Sequence, residues 1–176
     1  HKLIHDDPLN ILVYKARQTG ISWTDAYKET RKKAMRGCRT DTWVSSRDEG
    51  MALLFRNDCK FFAGILDAGA VELGDRVVND DDKNSKFEIK FATGAVIHSM
   101  SSNPDAQAGK RGDRVLDEFA LHKDPKQLYG IAKPGTDWGG QMTLITTPRG
   151  SQNFVETLLS EILEDGNPKR YSYYEI

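Results

Sequence analysis

The sequence predicts an α/β domain with a mainly parallel β-sheet sandwiched by helices and with an inserted β-hairpin. Three observations support this prediction. Short apolar runs of strand type alternate along the chain with longer segments whose apolar residues recur at helical spacing. Polar turn residues separate the two kinds of segment, and two alternating strands are joined by a tight turn. Such alternation is typical of parallel sheets, because each parallel pair needs a crossover connection.

The first half of the chain supplies two predicted strands and two predicted helices. These are strand 11–14, helix 22–36, strand 42–45 and a helix capped by Asp48 and stopped at Gly69. On the first helix, one less polar face contains Trp23, Tyr27, Thr30 and Ala34. On the second helix, an apolar stripe contains Met51, Leu54, Phe55, Phe62, Ile65 and Leu66.

The second half continues the alternation. A polar segment at 75–86 includes Asp80, Asp81 and Asp82, which form either a solvated loop or a cation site. The hairpin turns near Thr93 and Gly94. The remaining elements are strand 114–116, helix 125–132, strand 142–146, helix 154–163 and strand 171–176. The apolar face of the last helix contains Phe154, Val155, Leu158, Leu159 and Ile162.

Composition restricts the class of protein. The 176 residues predict a single domain, 1–176, and the absence of an initiator Met suggests a fragment of a longer chain. With 25 Lys+Arg against 26 Asp+Glu, the chain lacks the basic balance of many nucleic-acid-binding domains, so any DNA contact needs a local patch or a partner domain. Cys38 and Cys59 are expected to be reduced thiols, and no apolar run is long enough to span a membrane.

The turn between the first strand and the first helix has the chemistry of a phosphate-binding loop. The segment KARQTGIS departs from the pattern G-x-x-x-x-G-K-[ST], because Lys15 replaces the first glycine and Ile21 replaces the lysine. Gly20 still allows a phosphate to approach the backbone, and the N–H groups at the helix start favour an anion. Ser22 offers a hydroxyl to Mg²⁺, and Lys15 or Arg17 can supply the cation. An ordinary strand-to-helix connection has a similar composition, so both interpretations stay open here.

Two further strand ends carry candidate catalytic groups. Asp117 and Glu118 follow an apolar strand, and the pleat sends neighbouring side chains to different faces. Asp117 can therefore hold Mg²⁺ while Glu118 orients or deprotonates the attacking water. Thr147 follows the strand at 142–146 and can sense the γ-phosphate through a hydrogen bond. An acidic loop start and a simple Thr-Pro strand end are the plainer alternatives for these two positions.

The order of these signals favours the functional interpretation. Each follows a predicted strand, and ligands of parallel sheets bind at the carboxyl ends of strands. A RecA-type ATPase has them in this order. The sequence therefore predicts a RecA-like (ASCE P-loop) fold that binds ATP and Mg²⁺ at this edge.

These segments resemble the ATPase domain of bacteriophage large terminases, most closely the Mu-like branch. YKARQTGISW resembles their deviant phosphate loop with an early lysine, and SSNPDAQAGKRGDRVLDEFA resembles their run into the acidic strand. LITTPRG resembles their coupling motif, and TWVSSRDEG resembles their second strand and helix start. The likeness covers residues 12–150.

The resemblance implies a role for each candidate residue. Ser22 and Asp117 would hold Mg²⁺, and the catalytic set would be Glu118, Arg17 and Thr147. The nucleotide would be bound by Lys15, Arg17, Gln18, Thr19, Gly20, Ile21 and Ser22. The family's C-terminal nuclease domain is not expected here, because too little sequence follows the matched motifs.

The activity implied by the resemblance is ATP hydrolysis that powers double-stranded DNA translocation in a viral genome packaging motor. The implied partners are double-stranded DNA, a portal ring, a small terminase subunit and further copies of this chain, in the bacterial host cytoplasm and without a membrane. Another RecA-type motor such as a helicase is an alternative, although a helicase would usually need a second RecA-like domain. Ile21 in the lysine position also leaves open a non-hydrolysing nucleotide-binding assembly module.

Two groups of basic residues are candidates for phosphate contacts. A stripe on the first helix contains Lys28, Arg31, Lys32, Arg36 and Arg39 if that helix extends far enough. Such a stripe either neutralises DNA phosphates or forms a solvated outer face. The second group, Lys110 and Arg111, is expected near the ATP site or as an arginine finger for a neighbouring subunit.

Overall fold

A computed structural model of the chain describes residues 8–72, 77, 87–100, 103–150 and 153–176. The strands are β1 (Asn10–Tyr14), β2 (Thr42–Ser45), β3 (Glu88–Lys90), β4 (Val96–Met100), β5 (Asp113–Leu116), β6 (Met142–Thr146) and β7 (Tyr171–Glu175). The α-helices are α1 (Ile21–Ala34), α2 (Glu49–Glu72), α3 (Pro104–Gln107), α4 (Pro125–Ala132) and α5 (Phe154–Leu163). Two 3₁₀ turns cover Phe119–Leu121 and Lys133–Thr136.

The strands form one sheet in the order β3-β4-β2-β5-β6-β1-β7. Every neighbouring pair is parallel except β3 with β4. The predicted mainly parallel sheet and its hairpin are therefore confirmed, and the hairpin forms one edge of the sheet. In the centre, β6 separates β1 from β5, so the carboxyl ends of these three strands lie side by side.

Helices cover both faces of the sheet, as predicted. Because side chains alternate along each strand, every central strand contributes to two apolar cores. The core beneath α1 and α2 contains Ile11, Val13, Val44, Ile97, Val115 and Ile145. The core beneath α4 and α5 contains Leu12, Leu116, Met142, Leu144, Leu128 and Leu158. This sandwich holds the central strand ends rigidly.

The face of α1 toward the sheet carries several charged residues. Trp23 is 44% exposed and packs beside α2, with its ring centroid 4.6 Å from that of Phe62. The face toward the sheet instead buries Asp25, Lys28, Glu29, Thr30 and Lys33. The predicted less polar face therefore packs beside α2, where Trp23 and Tyr27 contact Phe62, whereas charged residues of α1 pair with one another above the sheet.

Helix α2 begins where predicted and ends later. Asp48 precedes it, and the Asp48 Oδ1 accepts a hydrogen bond from the Met51 backbone N–H at 2.9 Å. The helix continues to Glu72, so the predicted stop at Gly69 is wrong. One glycine inside a helix costs only about 1 kcal/mol, which tertiary packing readily offsets. The predicted stripe is also partly wrong, because Leu54 and Ile65 are exposed.

Several smaller predictions have clear outcomes. The predicted bounds of α4 and α5 are confirmed, and Asp124 caps α4 by accepting the Gln127 N–H at 2.9 Å. Cys38 and Cys59 are free thiols, as predicted. Asp80–82 lie outside the described residues. Within the described part of the chain, no helix has the length and apolar character to cross a membrane.

Candidate functional site

The loop after β1 turns at Gly20 into the N-terminus of α1. Gly20 has a φ of 74°, in the left-handed region that glycine adopts without strain. An added Cβ would meet nothing within 4 Å, so the need for glycine here is conformational rather than spatial. Among the described residues, no side chain caps the first turn of α1. Its N–H groups and the positive end of the helix dipole can therefore bind an anion.

Ser22 and Asp117 meet directly at the carboxyl edge of the sheet. The Ser22 hydroxyl donates a hydrogen bond to the Asp117 Oδ1 at 2.9 Å. Asp117 is 2% exposed, and its N–H donates to the Ser45 carbonyl at 2.8 Å. Burial raises the pKa of Asp117 to about 6, against the lowering effect of the Ser22 hydrogen bond. The loop and the end of β5 are thus joined at one point.

Lys15 and Glu118 form a second link between the same two segments. The Lys15 Nζ lies 3.3 Å from the Glu118 Oε1, and the Lys15 side chain is 6% exposed. The Lys15 N–H donates to the Thr146 carbonyl at 2.9 Å, which extends the pairing of β1 with β6. The ammonium is therefore held at the strand end by its own backbone.

The backbone of Glu118 is held in an uncommon conformation. Its φ is 51°, in the left-handed region, where a residue with a Cβ costs roughly 1–2 kcal/mol. The turn after it is tied to β6, because the Ala120 N–H donates to the Thr146 Oγ1 at 3.1 Å. Such strain persists where the surrounding structure enforces it and is concentrated at functional sites.

An open cavity of about 320 Å³ lies beside these links. This volume is at the lower end of the range of about 300–1,000 Å³ for small-molecule pockets. The lining residues are Arg17, Gln18, Arg47, Met51, Glu118, Leu121 and Thr147. Four of them are sequence-predicted site residues, namely Arg17, Gln18, Glu118 and Thr147. The sequence prediction did not include Arg47, Met51 and Leu121, although the first two follow β2, whose carboxyl end lies at the same edge.

Two residues of the predicted phosphate-binding loop have side chains that make other contacts. The Ile21 side chain is 8% exposed and belongs to the apolar core with Ile11 and Val13. Only its backbone N–H is placed to contact an anion. Thr19 is exposed, and its hydroxyl donates to the Ala16 carbonyl at 3.4 Å.

A buried layer of charges lies behind the site, between α1 and the sheet. The Lys28 Nζ lies 3.6 Å from the Asp25 Oδ1 and 3.5 Å from the Glu29 Oε1. It donates hydrogen bonds to the Gln141 Oε1 and, at 3.4 Å, to the Thr143 Oγ1. Burial raises the pKa of Asp25 to about 7. Periodicity could not reveal this layer, because charged residues at these positions are typical of a solvated face.

The prediction of one basic stripe on the first helix is also wrong. Lys28 is buried against the sheet, and the Lys32 Nζ pairs with the Asp113 Oδ2 at 3.0 Å. Helix α1 ends at Ala34, so Arg36 and Arg39 are not part of it. The five basic residues therefore do not form one exposed face.

Lys110 and Arg111 lie away from this edge. They precede β5, and Asp117 follows the opposite end of that strand. The Lys110 Nζ lies 4.8 Å from the ring centroid of Trp43, and the Arg111 guanidinium lies 4.7 Å from that of Trp138. Their expected place near the site of the same subunit is wrong, whereas a role at a neighbouring subunit stays a prediction.

The donor atoms at the Ser22–Asp117 contact fit a hard cation. Mg²⁺ prefers oxygen ligands and is commonly held by one or two protein groups together with waters and phosphates. A hydroxyl and a carboxylate at hydrogen-bond distance match that requirement. No group of three or more His, Cys, Asp or Glu residues suited to a metal occurs in the described ranges, so a cage made only of protein ligands is not formed there.

Comparisons with known proteins give a consistent result. Residues 65–175 match the family described as terminase large subunit, T4likevirus-type, N-terminal. This segment includes Asp117, Glu118 and Thr147 and begins after the loop between β1 and α1. The "Probable terminase, large subunit gp28" of Escherichia phage Mu is 30% identical over 176 residues, which cover 96% of this chain and 31% of that protein. The "Mu-like prophage FluMu protein gp28" of Haemophilus influenzae is 28% identical over 162 residues, covering 90% and 31%. The chain thus spans about a third of these relatives.

Solved structures share the fold. The large terminase of the thermophilic bacteriophage D6E superposes with a TM-score of 0.70 at 12% identity, over 98% of this chain and 41% of that one. The ATPase domain of the Thermus phage P74-26 large terminase superposes with a TM-score of 0.67 at 17% identity, over 98% and 78%. A D6E terminase in complex with ADP has a TM-score of 0.62 at 14% identity, over 98% and 40%. The fold is therefore RecA-like. Because residues 65–175 match the terminase family, the chain belongs to the T4-like terminase large subunits, as part of their N-terminal region.

Proposed function

We propose that the chain binds ATP with Mg²⁺ at this edge and hydrolyses it to drive double-stranded DNA translocation in a viral genome packaging motor. The observation that carries the proposal is the double link between the β1–α1 loop and the end of β5. A hydroxyl, an ammonium and two carboxylates from distant parts of the sequence converge at a helix N-terminus through Ser22–Asp117 and Lys15–Glu118.

The loop supplies the groups that a triphosphate requires. The first N–H groups of α1 bind the phosphates at the Gly20 turn, and Lys15 reaches them from the end of β1. Arg17 and Arg47 line the same cavity and add positive charge on its open side. Ser22 and Asp117 would hold Mg²⁺, which would neutralise part of the phosphate charge. An ADP complex of a terminase with the same fold supports a nucleotide at this kind of site.

Glu118 is proposed to act on the attacking water. Its carboxylate lies 3.3 Å from the Lys15 ammonium, so a γ-phosphate bound by Lys15 lies beside it. The carboxylate can then orient that water or accept its proton. Thr147, 7% exposed and directly after β6, borders the same cavity and is proposed to couple hydrolysis to movement.

Phosphate release from ATP tests the proposal. We expect Glu118→Gln to retain ATP binding and to lose hydrolysis by about 10²–10⁴-fold, as is typical for loss of a general base. Glu164 is an exposed carboxylate at the C-terminal end of α5, and Glu164→Gln is the matched control, which should hydrolyse ATP normally. Hydrolysis that survives Glu118→Gln would remove Glu118 from its role, and a wild-type chain that binds no nucleotide would refute the whole proposal.

The alternatives predict different results in the same assay. A non-hydrolysing assembly module would bind ATP without releasing phosphate. The burial of Ile21 speaks against a direct phosphate role for that side chain, and Lys15 provides the charge instead. Stimulation of hydrolysis by double-stranded rather than single-stranded DNA would favour the packaging motor over a helicase. The portal ring, the small subunit and self-association are proposed from the family alone.

A further inference from the structure

Helix α1 carries a fully buried carboxylate one turn after Ser22. Asp25 is 0% exposed. Residues three apart on a helix lie on the same side, with Cβ atoms about 5–6 Å apart. Because helical side chains lean toward the helix N-terminus, the Asp25 carboxylate extends toward the turn that carries Ser22. It therefore lies on the side of α1 that carries Ser22, whose hydroxyl contacts Asp117.

Both oxygens of this carboxylate lack a hydrogen-bond donor among the described residues. The Lys28 Nζ lies 3.6 Å from the Asp25 Oδ1, which is an ion pair beyond hydrogen-bond distance. Lys28 gives its hydrogen bonds to Gln141 and Thr143 instead. A buried acceptor without a donor costs roughly 1–3 kcal/mol, and more when it is charged. Asp25 is thus built to accept hydrogen bonds that the described protein groups do not supply.

The negative charge of Asp117 contributes to the raised pKa of Asp25. Two buried carboxylates, Asp25 on α1 and Asp117 directly after β5, thus interact electrostatically. Their mutual repulsion is relieved most directly by a divalent cation between the strand end and the helix. The hard oxygen donors of Ser22 and Asp117 are already placed to hold one.

We propose that Asp25 is a positioning residue that accepts a hydrogen bond from a water molecule coordinated to the Mg²⁺ held by Ser22 and Asp117. Protein-bound Mg²⁺ usually keeps several of its waters, and each of these is a hydrogen-bond donor. Carboxylates that fix such outer groups commonly set metal affinity. This inference rests on the proposed function, because it requires the cation at Ser22 and Asp117.

Glu29 provides a matched control on the same helix. It is also 0% exposed and has Lys28 within 3.5 Å. It lies a further turn from Ser22, however, and its Oε2 accepts a hydrogen bond from the Thr42 hydroxyl at 2.7 Å. Glu29→Gln and Asp25→Asn therefore each replace a carboxylate of the same buried layer by an amide, at different distances from the proposed Mg²⁺ site.

Calorimetric titration with ADP tests the proposal without requiring hydrolysis. Affinity is measured across a range of Mg²⁺ concentrations and in excess EDTA. We expect Asp25→Asn to raise the Mg²⁺ concentration for half-maximal enhancement of ADP binding by about tenfold, as is typical for loss of an outer hydrogen-bonding partner. ADP affinity in EDTA should stay at the wild-type value. Glu29→Gln should change neither quantity.

Each other result has a distinct meaning. An unchanged Mg²⁺ dependence in a folded Asp25→Asn chain overturns the inference and leaves the proposed function intact. Equal losses in Asp25→Asn and Glu29→Gln overturn it as well, since they indicate a general effect of buried charge. Should Asp25→Asn not fold, Asp25→Glu keeps the charge but displaces the carboxylate by one methylene. A wild-type Mg²⁺ response in that variant overturns the inference, and absence of ADP binding by the wild-type chain refutes the proposed function too.

Discussion

Replacing Lys28 by Met tests the buried charge layer between α1 and the sheet. Lys28 is 6% exposed, and it is the cation shared by Asp25, at 3.6 Å, and Glu29, at 3.5 Å. Both carboxylates are 0% exposed, so water cannot replace the ammonium without rearrangement. Methionine has a similar length and leaves little cavity. The substitution therefore isolates the loss of charge and of the hydrogen bonds to Gln141 and Thr143.

The expected loss of stability is large. Removing one partner of a buried ion pair typically costs about 3–5 kcal/mol, because the remaining charge stays buried without compensation. Asp25 can take up a proton in place of the ammonium, because burial already raises its pKa to about 7, so we expect a loss in the lower part of that range. Since the folding stability of a domain is only about 5–15 kcal/mol, the change removes a substantial fraction of it.

Urea unfolding followed by circular dichroism measures this loss. Arg31→Met, a partly exposed position on the same helix, is the control and should change the free energy of unfolding by at most about 0.5 kcal/mol. Adding Glu29→Gln to Lys28→Met should restore part of the lost stability by removing one stranded charge. A loss below about 1 kcal/mol for Lys28→Met alone would refute the reasoning, because the carboxylates would then not depend on Lys28.

Three further predictions address the site and its support. Lys15→Ala should weaken ATP binding by roughly tenfold, as expected for loss of a charge-assisted hydrogen bond, and unchanged affinity by calorimetry would contradict the early-lysine assignment. Gly140→Ala should lose about 1–3 kcal/mol in urea unfolding, because its Cβ would lie 2.2 Å from the Gly112 carbonyl oxygen, whereas Gly130→Ala in open space should be neutral or stabilising. Because burial raises the pKa of Asp25 from 3.8 to about 7, the folded chain binds more protons between these values. The stability that protonated Asp25 contributes is therefore present below about pH 4 and is lost as pH rises through about 7. Asp25→Asn should flatten the dependence of the free energy of unfolding on pH in this range.

The elements most accurately predicted are those with a strong local signal. Helices α4 and α5 and strand β6 have the predicted bounds, because proline, capping residues and apolar periodicity mark their ends locally. Helix α1 shows the limit of such signals. Trp23 and Tyr27 have helical spacing, yet they pack on Phe62 of α2 rather than on the sheet. The pattern tells which residues share a face and not which neighbour that face meets.

The candidate site shows the same division. Lys15, Ser22, Asp117 and Glu118 could be chosen from the sequence because each follows a strand and carries suitable chemistry. Asp25 could not, since an aspartate in a polar helix is typical of a solvated position. Its burial follows from the placement of α1 over the sheet, which no local pattern contains.

The sequence by itself determined the alternation of strands and helices and the order of the strand ends that carry chemistry. These properties depend on backbone conformation and short-range periodicity. Only the tertiary structure decided that β6 lies between β1 and β5, that the Ser22 hydroxyl reaches Asp117, and that charged residues of α1 are buried. Such contacts depend on the packing of segments distant in the chain, whose energies no single segment encodes.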